Sequence, residues 1–348
     1  MGFLFMAHKV LVKKMLLSLL SRLGLLNLWH WKNRHKICVL MLHGVMAPHR
    51  QTSWTPLRPQ ISPDELKRTL RILSHYYQFI TAEQAIDILE GKVAPVDNAL
   101  LITFDDGYRN NIDYALPIFQ QFAVKPILFV VTGHIDSGLP FWFDRIDYAL
   151  QQNMGELISF EYQGNKYCFD ATSLPALKAS YQKFRDDCKY AFTDDIDMNQ
   201  LFNALSEMLE SRSGKALRDI CVEDDWSGIV SWEQLKEAVK LNLLDVGSHT
   251  VDHWRLDSLS EAQIIEQLQQ SKVRIEDELA TQCHYFCYPN GNYNELAVSL
   301  TKKSGYRAAF ATKGKLCKIN DDLMTLKRFS FPENKTSAEI IYQLNCLE

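Results

Sequence analysis

The 348-residue sequence has no apolar run near the ~20 residues that a membrane-crossing helix needs, because Lys9, Lys13, Lys14 and Arg22 interrupt its Leu- and Met-rich start. It has no basic excess either. A formal net charge of -4 gives no electrostatic footing for nucleic acid, whose binders carry a basic face. The eight cysteines are scattered, and Cys283 and Cys287 stand in a C-x-x-x-C spacing with no second pair to complete a structural zinc site. A chain this long and 47% hydrophobic needs no disulfide staples, and no small-residue cleavage site follows the apolar start. Free thiols in a reducing, cytoplasmic compartment are therefore expected. No internal repeat, low-complexity run or long Pro/Gly/Ser linker is visible, which excludes solenoids and argues for one large α/β body.

What the sequence does have is concentrated in ALLITFDDGYRN, residues 99–110. The β-branched and apolar run to Phe104 lacks helical spacing and reads as a buried parallel-type strand, with Asp105, Asp106 and Gly107 at its C-terminal end. Adjacent carboxylates repel unless a cation or a shared proton relieves them. A second apolar run, Leu243–Val246, leads into GSHTVDH and delivers His249 and His253 at i, i+4, which on one helical turn point the same way. Aspartate plus two histidines is a metal-ligand set.

The rest alternates. Ile37–Leu42 reads as a strand ending at His43-Gly44; Ser62, Pro63 and Glu65 start a helix to about Tyr76; Thr81 with Gln84 caps another, closed by Gly91. After the aspartate pair come a helix over Asn111–Phe122 with Pro117 as a kink, and a strand over Ile127–Val131. Residues 150–228 are polar, have helical patches and no strand–helix rhythm, and read as an insertion. Ser231 with Gln234 and Ser260 with Gln263 cap two more helices, and His284–Tyr288 and Arg307–Thr312 are strands. That order predicts a mainly parallel sheet covered by helices. The expected divisions are 1–36, a basic amphipathic segment; 37–333, one domain carrying the insertion; and 334–348, a tail.

From Lys14 to Leu23, polar Lys14, Ser18, Ser21 and Arg22 fall on one side of a helix and Met15, Leu16, Leu17, Leu19, Leu20 and Leu23 on the other. Two readings stand side by side: a helix lying in a membrane interface, giving peripheral contact through residues 1–30 on the inner face of the membrane, and a helix packed on the domain surface; an uncleaved signal sequence is a distant third, its apolar region being broken by charge.

TFDDG at 103–107, SHTVDH at 248–253 and YPNG at 288–291, in this order and on successive strand ends, resemble the polysaccharide deacetylase family, that is, the NodB-homology domain of carbohydrate esterase type 4. FWFDR at 141–145 and LMLHGV at 40–45 resemble a bacterial branch of it. The resemblance covers 37–332 and implies a distorted (β/α) barrel of about seven parallel strands with the site at their C-terminal ends. It further implies Asp105 as general base and Asp106, His249 and His253 as ligands of a divalent metal, most often zinc, with cobalt or nickel suited to the same donors. The Asn290 backbone N–H, in its Tyr288-Pro289-Asn290 setting, is implied for the oxyanion. The activity implied is hydrolysis of the N-acetyl amide on N-acetylhexosamine units of a polysaccharide or a lipid-linked glycan precursor.

Two departures qualify this. Cys287 stands where the family places an arginine, and Arg328, in LKRF, either supplies that guanidinium from another strand or is an ordinary surface residue. No histidine follows His284, so the family's late general acid has no counterpart; His43 either replaces it or lies buried against a carboxylate. Tyr108, Arg109, Trp142 and Trp254 are candidate walls of a sugar groove, while Asp252 orients rather than ligates and His134 has no assigned role. A catalytically weak or silent carbohydrate-binding relative is the alternative reading, and a metal phosphohydrolase a weaker third.

Overall fold

Uninterrupted apolar runs become parallel strands: β1 (Cys38–Leu42), β2 (Gln78–Phe79), β3 (Ala99–Phe104) and β4 (Ile127–Val130) lie in the first half of the chain. An antiparallel hairpin of β5 (Leu157–Tyr162) and β6 (Asn165–Asp170) follows, and then β7 (Asp245–Ser248), β8 (Tyr285–Cys287), β9 (Ala308–Ala311), β10 (Leu326–Lys327) and β11 (Phe329–Ser330). The computed structural model describes residues 12, 15–46, 54–58, 60–192 and 194–346. The main sheet runs β10-β9-β8-β7-β4-β3-β1-β11, with β2 paired to the start of β3, and its pairings are parallel.

The two ends of that order are neighbours in sequence. Leu326 and Lys327 pair with Phe310 and Ala311, whereas Phe329 and Ser330 pair with Leu40 and Met41. One stretch, broken only at Arg328, thus bonds to both edges and nearly closes the sheet into a barrel. The eight strand segments on this path amount to seven staves once β10 and β11 are taken as one split strand.

Strand residues alternate between two apolar layers, as period-two geometry requires. Val39, Leu101, Phe129, Cys287 and Phe310 point into the barrel, where Ala82, Ala85, Ile86 and Leu89 of the helix Ala82–Leu89 join them and plug the end at which the strands begin. Leu40, Ile102, Leu128 and Phe286 face outward onto the surrounding helices, including Pro63–Tyr76 and Glu261–Leu279. The capping residues act as the sequence predicts: Ser62 accepts from the Glu65 N–H, and Thr81–Gln84 and Ser231–Gln234 form reciprocal boxes. The predicted helix at 111–122 begins as a π-helical turn, Asn111–Ala115, and continues as α-helix from Leu116, so the change of winding falls just before Pro117, which lacks an N–H to donate to the preceding turn.

Residues 150–228 contain one feature that sequence reading missed, the β5–β6 hairpin, turned by Gln163 (φ 49°) and Gly164 (φ 77°). Helices Leu174–Ala191 and Asp195–Ser213 pack with the hairpin and the helix Trp142–Gln151 around a separate apolar cluster that includes Phe169, Leu177, Phe184, Leu201 and Leu205. The segment read as a tail is a correction. Ser337–Cys346 is a helix whose Ile340, Ile341 and Leu344 are buried, because their spacing makes one apolar stripe. It packs against the helix Leu25–Lys32, where His30 meets the Tyr76 carbonyl (2.9 Å) and Asn345 (3.3 Å).

Of the predicted amphipathic helix, residues 15–22 are helical; residues 1–11, Lys13 and Lys14 lie outside the described residues. Leu17 is buried, but Met15, Leu16, Leu19 and Leu23 are more than half exposed, and Leu28, Trp29 and Trp31 continue this apolar surface. No helix among the described residues is long and apolar enough to cross a membrane.

Candidate active site

β3 carries Thr103 inward and, two residues on, Asp105, whose N–H still bonds the Leu42 carbonyl (2.9 Å). The chain then turns through Asp106 (φ 77°) and Gly107 (φ 82°). A left-handed aspartate costs about 1 kcal/mol, and strain of this kind is concentrated where function demands it. Here it keeps both carboxylates at one strand end, 3–4% exposed.

The two histidines arrive differently from the expectation. Residues 249–253 are a loop, not a helical turn: Thr250 (φ 71°) and His253 (φ 61°) are left-handed, and the Thr250 hydroxyl accepts the His253 N–H (2.9 Å). Gln267 holds the loop from the neighbouring helix, accepting from the Val251 and Asp252 N–H groups and donating to the Asp252 carboxylate (2.6 Å). Asp252 therefore orients the loop.

His249 Nε2 and His253 Nε2 lie 3.7 and 3.5 Å from one Asp106 oxygen. Ligands about 2.1 Å from a tetrahedral cation are separated by roughly 3.4 Å, so these separations suit one shared ion. The other ring nitrogen of His249 bonds the Cys287 carbonyl (2.7 Å), which fixes Nε2 as the ligand atom. Burial, with help from the His253 charge, pushes the His249 pKa down to about 4, so the ring is neutral and ligand-ready near pH 7. Asp105, His249 and Cys287 also converge closely enough to suggest a second ion site. The Asp105 oxygens are already committed to Arg328, however, and burial holds the Cys287 thiol protonated, so Asp106–His249–His253 is the set that fits a metal.

Arg328 lies where the split strand breaks and is 1% exposed. Its guanidinium grips Asp105 with two bonds (2.6 and 2.7 Å) and also reaches Thr103 Oγ1, the Ala311 carbonyl and Cys287 Sγ (2.8, 3.2 and 3.0 Å). Burial alone would raise the Asp105 pKa; the adjacent Arg328 charge overrides it and holds the carboxylate below its ordinary range. The guanidinium that the sequence lacks at position 287 is thus supplied by position 328, and the thiol at 287 leaves room for it.

These groups open into a cavity of about 390 Å³ lined also by His43, Arg58, Phe143, Asn290 and Glu333. His43 is exposed rather than buried beneath the carboxylates. Asn290 (φ 56°) and Gly291 (φ 73°) turn the chain at the rim, and a Cβ on Gly291 would meet Thr312 at 2.2 Å, so this turn admits only glycine there. Other expected contacts need correction. Tyr108 is 1% exposed with its hydroxyl on Asp144 (2.7 Å), and Tyr288 and Pro289 are buried; all three support the site from behind, because strand-end aromatics here face the core. Trp142 is stacked on Phe202 (3.9 Å between ring centroids) and, with Trp254, lines a neighbouring recess, while Arg109 is tied to the Val222 and Asp224 carbonyls. His134 is in a short helix, its ring against Phe141. Sequence reading missed Arg58, which bonds Asp144 (2.9 Å) from a loop that carries no local signal.

The sequence model of the polysaccharide deacetylase family matches residues 92–309. The curated relative YxkH of Bacillus subtilis (strain 168) is 21% identical over 279 residues, covering 80% of this chain and 65% of that protein; the chain thus spans a little under two thirds of its length. Among solved structures, Streptococcus pyogenes deacetylase PplD in complex with acetate superposes with a TM-score of 0.57 at 16% identity, over 89% of this chain and 99% of that one. IcaB from Ammonifex degensii gives 0.55 at 17% identity, over 90% and 98%. At these identities the likeness is one of fold.

Proposed function

Since the chain belongs to the polysaccharide deacetylase family, we propose that it is a metal-dependent hydrolase that removes acetyl groups from N-acetylhexosamine units of a polysaccharide or lipid-linked glycan. The observation that carries this reading is the division of labour at the end of β3: Asp106 turns to both imidazoles, while Asp105 is kept apart, ionised, by Arg328. Asp106, His249 and His253 would hold a divalent ion, zinc in our assignment and cobalt or nickel equally suited to the donors, which would supply Lewis acidity toward the acyl oxygen.

The chain's own groups do the rest. Asp105 takes a proton as water oxygen attacks the acyl carbon, and the N–H of Asn290, which lines the cavity, donates to the developing oxyanion. The C–N bond then breaks, His43 gives the sugar nitrogen a proton, and acetate and a free amine leave. The alternative of a silent binding relative drew on the missing arginine and late histidine. Arg328 on Asp105 and His43 in the cavity favour the hydrolase.

The test is acetate release from chitohexaose. We expect release that a chelator abolishes and zinc restores; sugar binding without release under any metal would make the binding reading correct. His43→Gln should lower amide turnover by roughly a hundredfold yet leave hydrolysis of an O-acetyl ester with a good leaving group within a few-fold, since only the amine needs protonation. Equal losses on both substrates would remove His43 as the acid.

We further propose that the exposed surface of Met15, Leu16, Leu19, Leu28, Trp29 and Trp31, beside Arg22, Lys32 and Arg34, rests on the inner face of an anionic membrane from the cytoplasmic side. The full chain should co-sediment with phosphatidylglycerol vesicles and lose most of that binding in Leu16→Glu/Trp29→Glu. Undiminished binding of the variant, or none by the wild type, sinks this assignment.

A further inference from the structure

Helix Leu174–Ala191, which the insertion contributes, presents Arg185 and Lys189 one turn apart at the edge of the catalytic cavity. Arg185 lines the main cavity, and both residues line a small lateral recess of about 40 Å³ shared with Asn199, Trp254 and Asn290.

Every other buried or half-buried arginine around this cleft is neutralised: Arg58 by Asp144, Arg145 by Glu210, Arg255 by Asp195 and Arg328 by Asp105. Arg185 and Lys189 have no carboxylate ion pair among the described residues, and the Arg185 Nε–H is buried with no partner. The nearest acid in sequence, Asp186, is exposed and receives a bond from Gln182 instead (3.0 Å); the recess's own acid, Asp195, is taken by Arg255, and Glu333 lines the main cavity with Arg185 without pairing to it. Like charges at i, i+4 repel, and the half-buried setting of Arg185 strengthens that repulsion although Lys189 as a whole is exposed. Lys189 registers both effects: burial and then the Arg185 charge lower its pKa. A protein that carries such a cost at the wall of its cleft gains from it only when an anion arrives.

We propose that the glycan this site accepts bears a carboxylate or phosphate group that seats between Arg185 and Lys189 while its N-acetyl group lies at Asp106, His249 and His253. The inference rests on the deacetylase reading for the position of the N-acetyl group, but not for the anion site itself. A carboxylate would come from an acidic sugar within a polymer and a phosphate from an activated or lipid-linked sugar; the recess chemistry is common to both.

The experiment uses the zinc-loaded full chain with three probes: neutral chitohexaose, a hyaluronan hexasaccharide and UDP-N-acetylglucosamine. Binding is measured by calorimetry and acetate release in parallel. At least one anionic probe should bind about tenfold or more tightly than chitohexaose, with the advantage shrinking as salt rises, and which one does so identifies the source of the charge. Arg185→Gln/Lys189→Gln should erase the advantage, and Arg185→Lys should restore part of it. Equal binding of neutral and anionic probes by the wild type overturns the proposal, as does a preference that survives the double variant. If that variant fails to fold, Lys189→Gln alone and the salt series on the wild type decide it. Anion preference without acetate release from any probe would overturn the deacetylase reading and leave the anion site standing.

Discussion

Asp105→Asn is expected to lower deacetylation roughly a thousandfold at neutral pH, the range removed with a general base, while zinc stoichiometry stays at that of the wild type. The metal content is the discriminating measurement, because Asp105 touches Arg328 and not the paired histidines. Asp106→Asn, by contrast, should lose both turnover and tight metal binding, since its oxygen faces both Nε2 atoms. The asparagine at 105 leaves a buried guanidinium without its anion, a change that costs about 3–5 kcal/mol in comparable buried pairs and should appear in a denaturant melt. A folded, metal-loaded Asp105→Asn enzyme with wild-type turnover would remove Asp105 as the base.

Arg328→Gln is expected to give the second largest effect, and its signature is a pH profile. In the wild type Arg328 holds the Asp105 pKa below its ordinary 3.8, so the base is ionised throughout the neutral range. Without that charge only burial remains, which raises the pKa, so the acid limb of kcat/KM should move from below pH 4 toward neutrality. Activity should be depressed most at pH 5 and recover as pH rises. Stability follows the same sign. A depressed folded pKa contributes stability above the unfolded value of about 3.9 that is lost as pH falls through the folded value; a raised one reverses the dependence. The variant should therefore be destabilised by about 3–5 kcal/mol at pH 7 and less at pH 4. Arg328 is a positioning residue, and a purely structural role would lower activity without displacing the limb. In Asp105→Asn/Arg328→Gln part of the stability should return, because no lone charge stays buried, but turnover should not.

Much of this site was legible because it depends on short-range order. The run ALLITF gives a buried strand, and the aspartates and glycine that follow it have to turn at its end. Ser62, Thr81 and Ser231 cap where their side chains are locally suited to do so, independent of tertiary context. Arg328 is of another kind. Its position opposite Asp105 comes from the closure of the barrel by a split strand, a contact spanning more than 200 residues that no local pattern encodes. The i, i+4 spacing of His249 and His253 suggested a helix and the structure uses a loop, because Thr250 and Gln267 satisfy the backbone in another way. The hairpin at Gln163-Gly164 did have a local signal, a two-residue turn between alternating strands, obscured by the polarity of its surroundings.

The helix Leu25–Lys32, which carries part of the N-terminal apolar surface, lies toward the end of the barrel where the strands begin, and the catalytic cleft lies where they finish. The helix Leu25–Lys32 is anchored at the Tyr76 carbonyl, and the chain just after it bonds Asn98, next to the starts of β2 and β3; Asp105 and Asp106 stand where β3 finishes. Strands of five or six residues set those ends roughly 17–20 Å apart. Were that apolar surface to settle on a bilayer as proposed, the cleft would open away from the lipid like a cup on a table, within reach of sugar chains that stand clear of it.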